Sequence, residues 1–205
     1  GNELDFANND LVLTKGLFNT DATSKIILTQ GNTGGGGQPT QGFTRTDGVI
    51  RGNVEKFIDR TQTVDISNVI FPTGSNSNYR PAVFYFKTAP ASSINLMVNH
   101  EEESPGGSNG IPIALPGQSI TNYPDFYWFV KSDVALAPSY QYDLEFQAEG
   151  YTEYVLDGIQ NVRLIRRDSG NVANNWVLQG ADGNYDNSTI AANHPLVKVI
   201  DATGG

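Results

Sequence analysis

The sequence predicts a mainly β protein: an antiparallel β-sandwich, immunoglobulin-like or jelly-roll-like, over residues 68–205, preceded by a β-rich segment over residues 1–67. Three observations predict it. Apolar residues nowhere hold an i, i+3, i+4, i+7 spacing through three turns, so amphipathic helices are not expected. Residues 140–148, YQYDLEFQA, alternate with a period of two, the mark of a strand with one buried and one solvated face. Short apolar runs are separated by turn pairs such as Gly106-Gly107, Asn109-Gly110, Pro116-Gly117, Asp157-Gly158, Ser169-Gly170 and Asp182-Gly183, a rhythm typical of sandwiches and barrels. The composition agrees, with 22 glycines, 10 prolines and a single methionine in 205 residues.

In chain order, the first third carries very short apolar runs at 11–13, 26–28 and 49–50, set apart by long polar stretches. Residues 4–16, LDFANNDLVLTKG, have the pattern of one coil of a β-solenoid, in which Asn, Asp and Gly turn the corners and the next coil buries the inner face. These runs fit the end of a solenoid stalk, or else edge strands of the same sandwich. Gly34 to Gly37 lie within a glycine-rich loop, 31–42, and four consecutive glycines are costly to order. Beyond residue 68, strands are expected at 82–86, 94–98, 126–130, 140–148 and 162–167. Segments 82–86 and 126–130 are apolar on both faces, which predicts central strands or strands roofed by a loop.

The formal charge of −9 argues against nucleic acid and anionic membranes as partners, since both require clustered Lys and Arg. No stretch approaches the roughly 20 apolar residues that span a bilayer, so membrane insertion is not expected. The absence of cysteine excludes disulfides, thiolate catalysis and cysteine-held metals. The first residue is Gly, which fits a processed or excised piece of a longer chain.

Catalytic constellations are sparse. The two histidines, His100 and His194, occupy separate turn-rich segments and are expected as exposed turn residues. The spacing G-x-S-x-G occurs at 106–110, but it spans the turn pairs Gly106-Gly107 and Asn109-Gly110 and is not the strand-to-helix turn that a nucleophile elbow needs, and no HExxH motif occurs. Of the carboxylates, Asp143, Glu145 and Glu149 fall on the polar side of an alternating strand, and Asp125, Glu153 and Asp157 add no pattern that a glycosidase pair would need. Glu101, Glu102 and Glu103 read as a solvated, self-repelling loop. Asp182, Asn184 and Asp186 in DGNYD place oxygen ligands at alternate positions, a candidate calcium site, although Asx-rich turns look the same. Tyr151, Tyr154 and Trp176 are candidate sugar-stacking aromatics, while Tyr123, Phe126, Tyr127 and Trp128 are more naturally core or rim.

The segment FPTGSNSNYRP, 71–81, has one glycine, no lysine and a strand after it, so it cannot be a P-loop. It reads as a structural corner, with Tyr79 packed beneath the turn and Arg80 meeting a carboxylate. Together with VIRGNV at 49–54, Tyr127-Trp128, VRLIRR at 162–167 and Trp176 to Gly180, it resembles an uncharacterised β-rich module of large secreted and cell-surface proteins from Bacteroidetes-type bacteria. That family has the pattern FPxG, YRP, LRLIxR and W in this order. The resemblance spans roughly 45–192 and departs from the pattern at Glu101 to Glu103. It implies a non-catalytic, extracellular structural or adhesion-like module partnered with other domains of a longer chain, or with a polysaccharide or surface protein. A carbohydrate-binding module accessory to a secreted polysaccharide-degrading enzyme is the alternative.

Overall fold

The computed structural model describes residues 2–6, 10–28, 42–59, 66–75, 78–87, 92–135, 141–151, 162–168, 171–185, 188–191 and 194–203, with backbone alone at 66–68, 188–191, 194–195 and 200–203. The protein is mainly β. Among the described residues there are strands, turns and short 3-10 pieces, one of them Asp182–Asn184, and no α-helix.

The N-terminal third winds as a coil of parallel ladders. Strands β1 (Glu3–Asp5), β2 (Leu11–Leu13) and β3 (Leu17–Asn19) form one turn, and β4 (Lys25–Leu28), β5 (Phe43–Arg45) and β6 (Val49–Arg51) the next. Each strand pairs in parallel with its counterpart: β1 with β4, β2 with β5 and β3 with β6. Strand β7 (Asn53–Ile58) then stacks in parallel on β4. The inner faces bury Leu11, Leu13, Ile26, Leu28 and Ile50. At the corner into β7, Gly52 has φ +120°, and a Cβ there would lie 1.8 Å from Thr20 Oγ1, so only glycine fits. The buried Asn53 locks this corner to the previous turn, its Nδ2 donating to Ser24 O at 3.0 Å.

The coil runs into antiparallel strands without a break. Strand β10 (Ile94–Glu101) pairs antiparallel with β7, and β13 (Tyr127–Ser132) with β10, completing a mixed sheet in the order β1-β4-β7-β10-β13. A second, antiparallel sheet has the order β17-β18-β14-β9-β8, with β8 at Ile66–Phe71, β9 at Ala82–Phe86, β14 at Gln141–Gln147, β17 at Ser188–Ala191 and β18 at His194–Thr203. Two small hairpins, β11–β12 (Ile113–Leu115 with Gln118–Ile120) and β15–β16 (Ile165–Arg166 with Val177–Leu178), lie outside these sheets.

One hydrophobic cluster joins both sheets and the coil. It contains Leu13, Ile26 and Val54 with Leu96 and Val98, and also Phe71, Phe84, Phe86, Leu144, Phe146 and Val199. Each such buried side chain is worth about 1.5–3 kcal/mol. A cut at residue 67/68 therefore passes through one core, and β7 on one side of it pairs with β10 on the other.

Several strands follow the expected alternation. In β14, Tyr142, Leu144 and Phe146 are buried, while Gln141, Asp143, Glu145 and Gln147 are not. Three expectations need correction. Segment 126–130 is neither central nor roofed: β13 is the edge of its sheet, and Phe129 and Val130 are 37% and 40% exposed. The strand expected at 162–167 shrinks to Ile165–Arg166. His100 is fully buried within β10, because the strand continues past Val98 and turns residue 100 inward. The turn pairs at 157–158 and 169–170 and His194's side chain lie outside what is described.

Candidate functional site

The corner at 71–81 is the junction between the coil and the antiparallel sheet β17-β18-β14-β9-β8. After β8, residues 72–74 dock in parallel on β6: Ile50 N donates to Pro72 O and Gly74 N donates to Ile50 O, both at 3.0 Å. A Cβ on Gly74 would sit 2.3 Å from Asn78 O, so the tight return needs glycine. Tyr79 packs against the coil, with the Arg45 guanidinium 3.6 Å above its ring. Its amide donates to the Glu149 carboxylate.

Arg80 is buried and fully engaged. Nη1 donates to Glu102 Oε1 at 2.8 Å, Nε donates to Glu149 O at 2.6 Å, and the guanidinium lies 3.7 Å over the Phe126 ring. Its carbonyl accepts from Trp128 Nε1 at 2.9 Å and Thr73 Oγ1 at 2.8 Å. Thus Arg80 meets a carboxylate, as expected, and Glu102 is a partner here instead of part of a freely solvated loop. Nη1 also stands 3.3 Å from His100 Nε2. Since guanidinium only donates, Nε2 accepts and the imidazole proton sits on Nδ1, which is buried without a partner among the described residues. Burial, then the charges of Arg80 and Arg51, pull the His100 pKa down to about 3. The histidine is held neutral and oriented as a structural group.

Beside this network lies a cleft of about 1210 Å³. One wall is β13 and the other is the extended segment 162–168. Between them the floor is inner-face core, including Phe84, Leu96, Leu144, Phe146 and Val197. Residues from both faces of β13, Tyr127 through Ser132, line it in unbroken succession. Side chains alternate between faces along a strand, so the cleft must run along the edge of β13 that pairs with no strand among the described residues. The slot is thus the open side of the space between the two sheets.

Tyr151 and Trp176 both line this cleft, while Tyr154 lies outside the described residues. Trp176 does not offer the open face that sugar stacking wants. It is buried, with Arg167 4.6 Å from its ring, the Tyr123 ring 5.3 Å away, and its Nε1 donating to Gly107 O at 2.8 Å. Tyr151 meets Phe126 edge-on at 5.9 Å. Asp182 and Asn184 fall in the 3-10 turn, but Asp182 Oδ1 accepts from Arg163 Nε at 2.8 Å. That carboxylate oxygen is therefore engaged by a guanidinium, and Asp186 lies outside the described residues. No group of three or more His, Cys, Asp or Glu arranged for a metal is found among the described residues.

The expected carboxylates serve structure as well. Asp143 pairs with Lys87 at 2.9 Å. Burial pushes the Glu145 carboxyl up, opposed by Lys198 and the Tyr85 hydroxyl.

Sequence reasoning missed Lys56. It lies fully buried on the inner face of β7, between Leu28 of β4 and Leu96 of β10. Its Nζ is 5.2 Å from the Phe43 ring and 5.8 Å from that of Phe71, and burial lowers its pKa to about 7. The alternation Val54, Lys56, Ile58 was the available signal, because it places the lysine inward.

Fold and site together define a mainly β chain with a buried polar network at the 71–81 corner and a cleft along one edge of its mixed sheet. Comparison with protein-family models, with curated proteins and with solved structures finds no match for this chain.

Proposed function

We propose that this protein is a non-catalytic structural or adhesion-like module of a larger secreted or cell-surface protein. In this reading its architecture is an antiparallel sandwich capping the end of a solenoid-like coil. The observation that supports it most is the shared sheet β1-β4-β7-β10-β13, together with the single core beneath it. A coil and a sandwich fused in this way cannot rotate against one another without breaking ladder hydrogen bonds. Such a unit suits spacing and presenting other domains. The groups best able to do chemistry, Arg80, His100 and Glu149, are spent on holding the junction. Among the described residues, no helix is long and apolar enough to cross a membrane.

The test is surface proteolysis of intact producing cells, with peptides identified by mass spectrometry. Release of peptides from this chain before lysis is expected. Protection until lysis would sink the surface reading, and turnover of any member of a chromogenic glycoside and ester panel by the purified protein would sink the non-catalytic one.

Carbohydrate binding remains a second reading, favoured by the shared position of Tyr151 and Trp176 on one cleft. It requires a retained glycan on an array and loss of retention in Tyr151→Ala. The covered faces of Trp176 weigh against it.

A further inference from the structure

The free edge of β13 and the slot beside it carry an inference beyond the structural role. Within antiparallel pairs, backbone groups of alternate residues point to the partner strand and away from it. Asp133 N donates to Asn95 O of β10 at 3.2 Å, so Tyr127, Phe129 and Lys131 direct their backbone groups at β10. Trp128, Val130 and Ser132 direct theirs outward into the slot, where β13 pairs with no strand among the described residues. An unpaired edge beside exposed Phe129 and Val130 is the feature that native sheets ordinarily cover or blunt. Here the inward side chain of Val130 borders a floor of Phe84, Leu144 and Phe146. The slot therefore offers what an added strand needs: a row of backbone donors and acceptors on one side and apolar pockets beneath.

Charge selects the occupant. The chain carries −9 overall, yet among the described residues the charged ones lining the slot are Lys131, Arg163, Arg166 and Arg167 against Asp168. Arg163 and Arg166 are neutralised by Asp182 and Asp168. Lys131, on one wall, has no carboxylate partner among the described residues. On the other wall Arg167 donates to the neutral carbonyls of Pro105 and Gly106, and its Nε is a buried donor without a partner, as is Ser132 Oγ on β13.

We propose that the slot binds an extended peptide segment by strand addition to β13. The peptide turns apolar side chains inward and carboxylates outward, toward Lys131 and Arg167. A six-residue partner covering Tyr127–Ser132 would extend about 20 Å. Its carboxylates would sit in cross-strand positions, where opposite charges stabilise pairing.

The experiment measures fluorescence anisotropy of a labelled, end-capped octapeptide of alternating valine and glutamate, titrated with the intact protein. The valine–lysine counterpart serves as control. Saturable binding of the valine–glutamate peptide is expected, weaker by about tenfold or more for the lysine peptide and weakening with salt. Val130→Pro removes an outward N–H without touching the β10 ladder, and proline is tolerated on a free edge. It should keep the wild-type melting temperature and circular dichroism while losing peptide binding. Equal affinity for both peptides, unchanged binding by a folded Val130→Pro protein, or no binding of the valine–glutamate peptide would each overturn the proposal. So would a homodimer that Val130→Pro dissociates, which would assign the slot to a second copy. Binding of oligogalacturonate in place of the peptide, insensitive to Val130→Pro, would return the cleft to the carbohydrate reading.

Discussion

Replacing Lys56 with methionine should stabilise this protein at neutral pH, and the size of the gain follows from where the lysine sits. Its side chain is fully buried on the inner face of β7, with Nζ 5.2 Å from the Phe43 ring and 5.8 Å from that of Phe71, and its pKa falls from 10.5 to about 7 because burial disfavours the charged form. In the unfolded chain the lysine stays protonated to pH 10.5. Between pH 7 and 10.5 the unfolded state therefore binds one more proton than the folded state, and stability rises with pH through that window. Each unit is worth about 1.4 kcal/mol, which bounds the neutral-pH penalty at about 5 kcal/mol. The attraction of the ammonium for the two rings returns about 0.5–2 kcal/mol of this. Methionine fills nearly the same volume without a charge, so the variant should gain a few kcal/mol at pH 7. The assay is urea denaturation of both proteins from pH 6 to 10.5. The wild type should gain on Lys56→Met as pH rises, the two curves converging near pH 10.5. Parallel curves across that range would refute the depressed pKa, and a less stable Lys56→Met at pH 7 would refute the claim that burial outweighs the lysine's contacts.

Other substitutions test the junction. Arg80→Met strands Glu102, the Glu149 carbonyl and His100 Nε2 together, and should cost about 3–5 kcal/mol in urea denaturation. Arg80→Lys should not recover it, because an ammonium cannot reproduce the planar fork. His100 has a folded pKa far below its unfolded 6.5, so its contribution is complete above pH 6.5 and is lost as pH falls toward 3. At pH 5 that amounts to about 2 kcal/mol, and His100→Phe should flatten this part of the pH–stability curve. Gly74→Ala places a methyl against the Asn78 carbonyl and should lower the melting temperature, with a ΔΔG of about 1–3 kcal/mol.

Much of the fold was legible because strand signals are local. Alternation at 140–148 placed Tyr142, Leu144 and Phe146 inward, and the short runs at 11–13, 26–28 and 49–50 all proved to be strands. The site was less legible, for a physical reason. A stretch apolar on both faces, such as 126–130, reads identically whether it is covered by neighbours or lines an open slot, and only the strand order separates the two. His100 looked like a turn residue because its flanks are polar. Its burial depends on Arg80 and Phe126, which arrive from distant parts of the chain.

By itself, the sequence determined the β class, the turns at 109–110 and 116–117, and the lack of cysteine chemistry, all of which follow from residue type and near-neighbour spacing. It also marked 71–81 as a corner, since Gly74 and Pro81 constrain the backbone wherever they stand. Only the tertiary structure decided that this corner joins the coil to the second, antiparallel sheet, that Lys56 and His100 lie in the core, and that one edge of β13 pairs with no strand among the described residues. Those outcomes depend on which strands become neighbours, and pairing across many tens of residues is chosen by the whole core, with no local pattern to announce it.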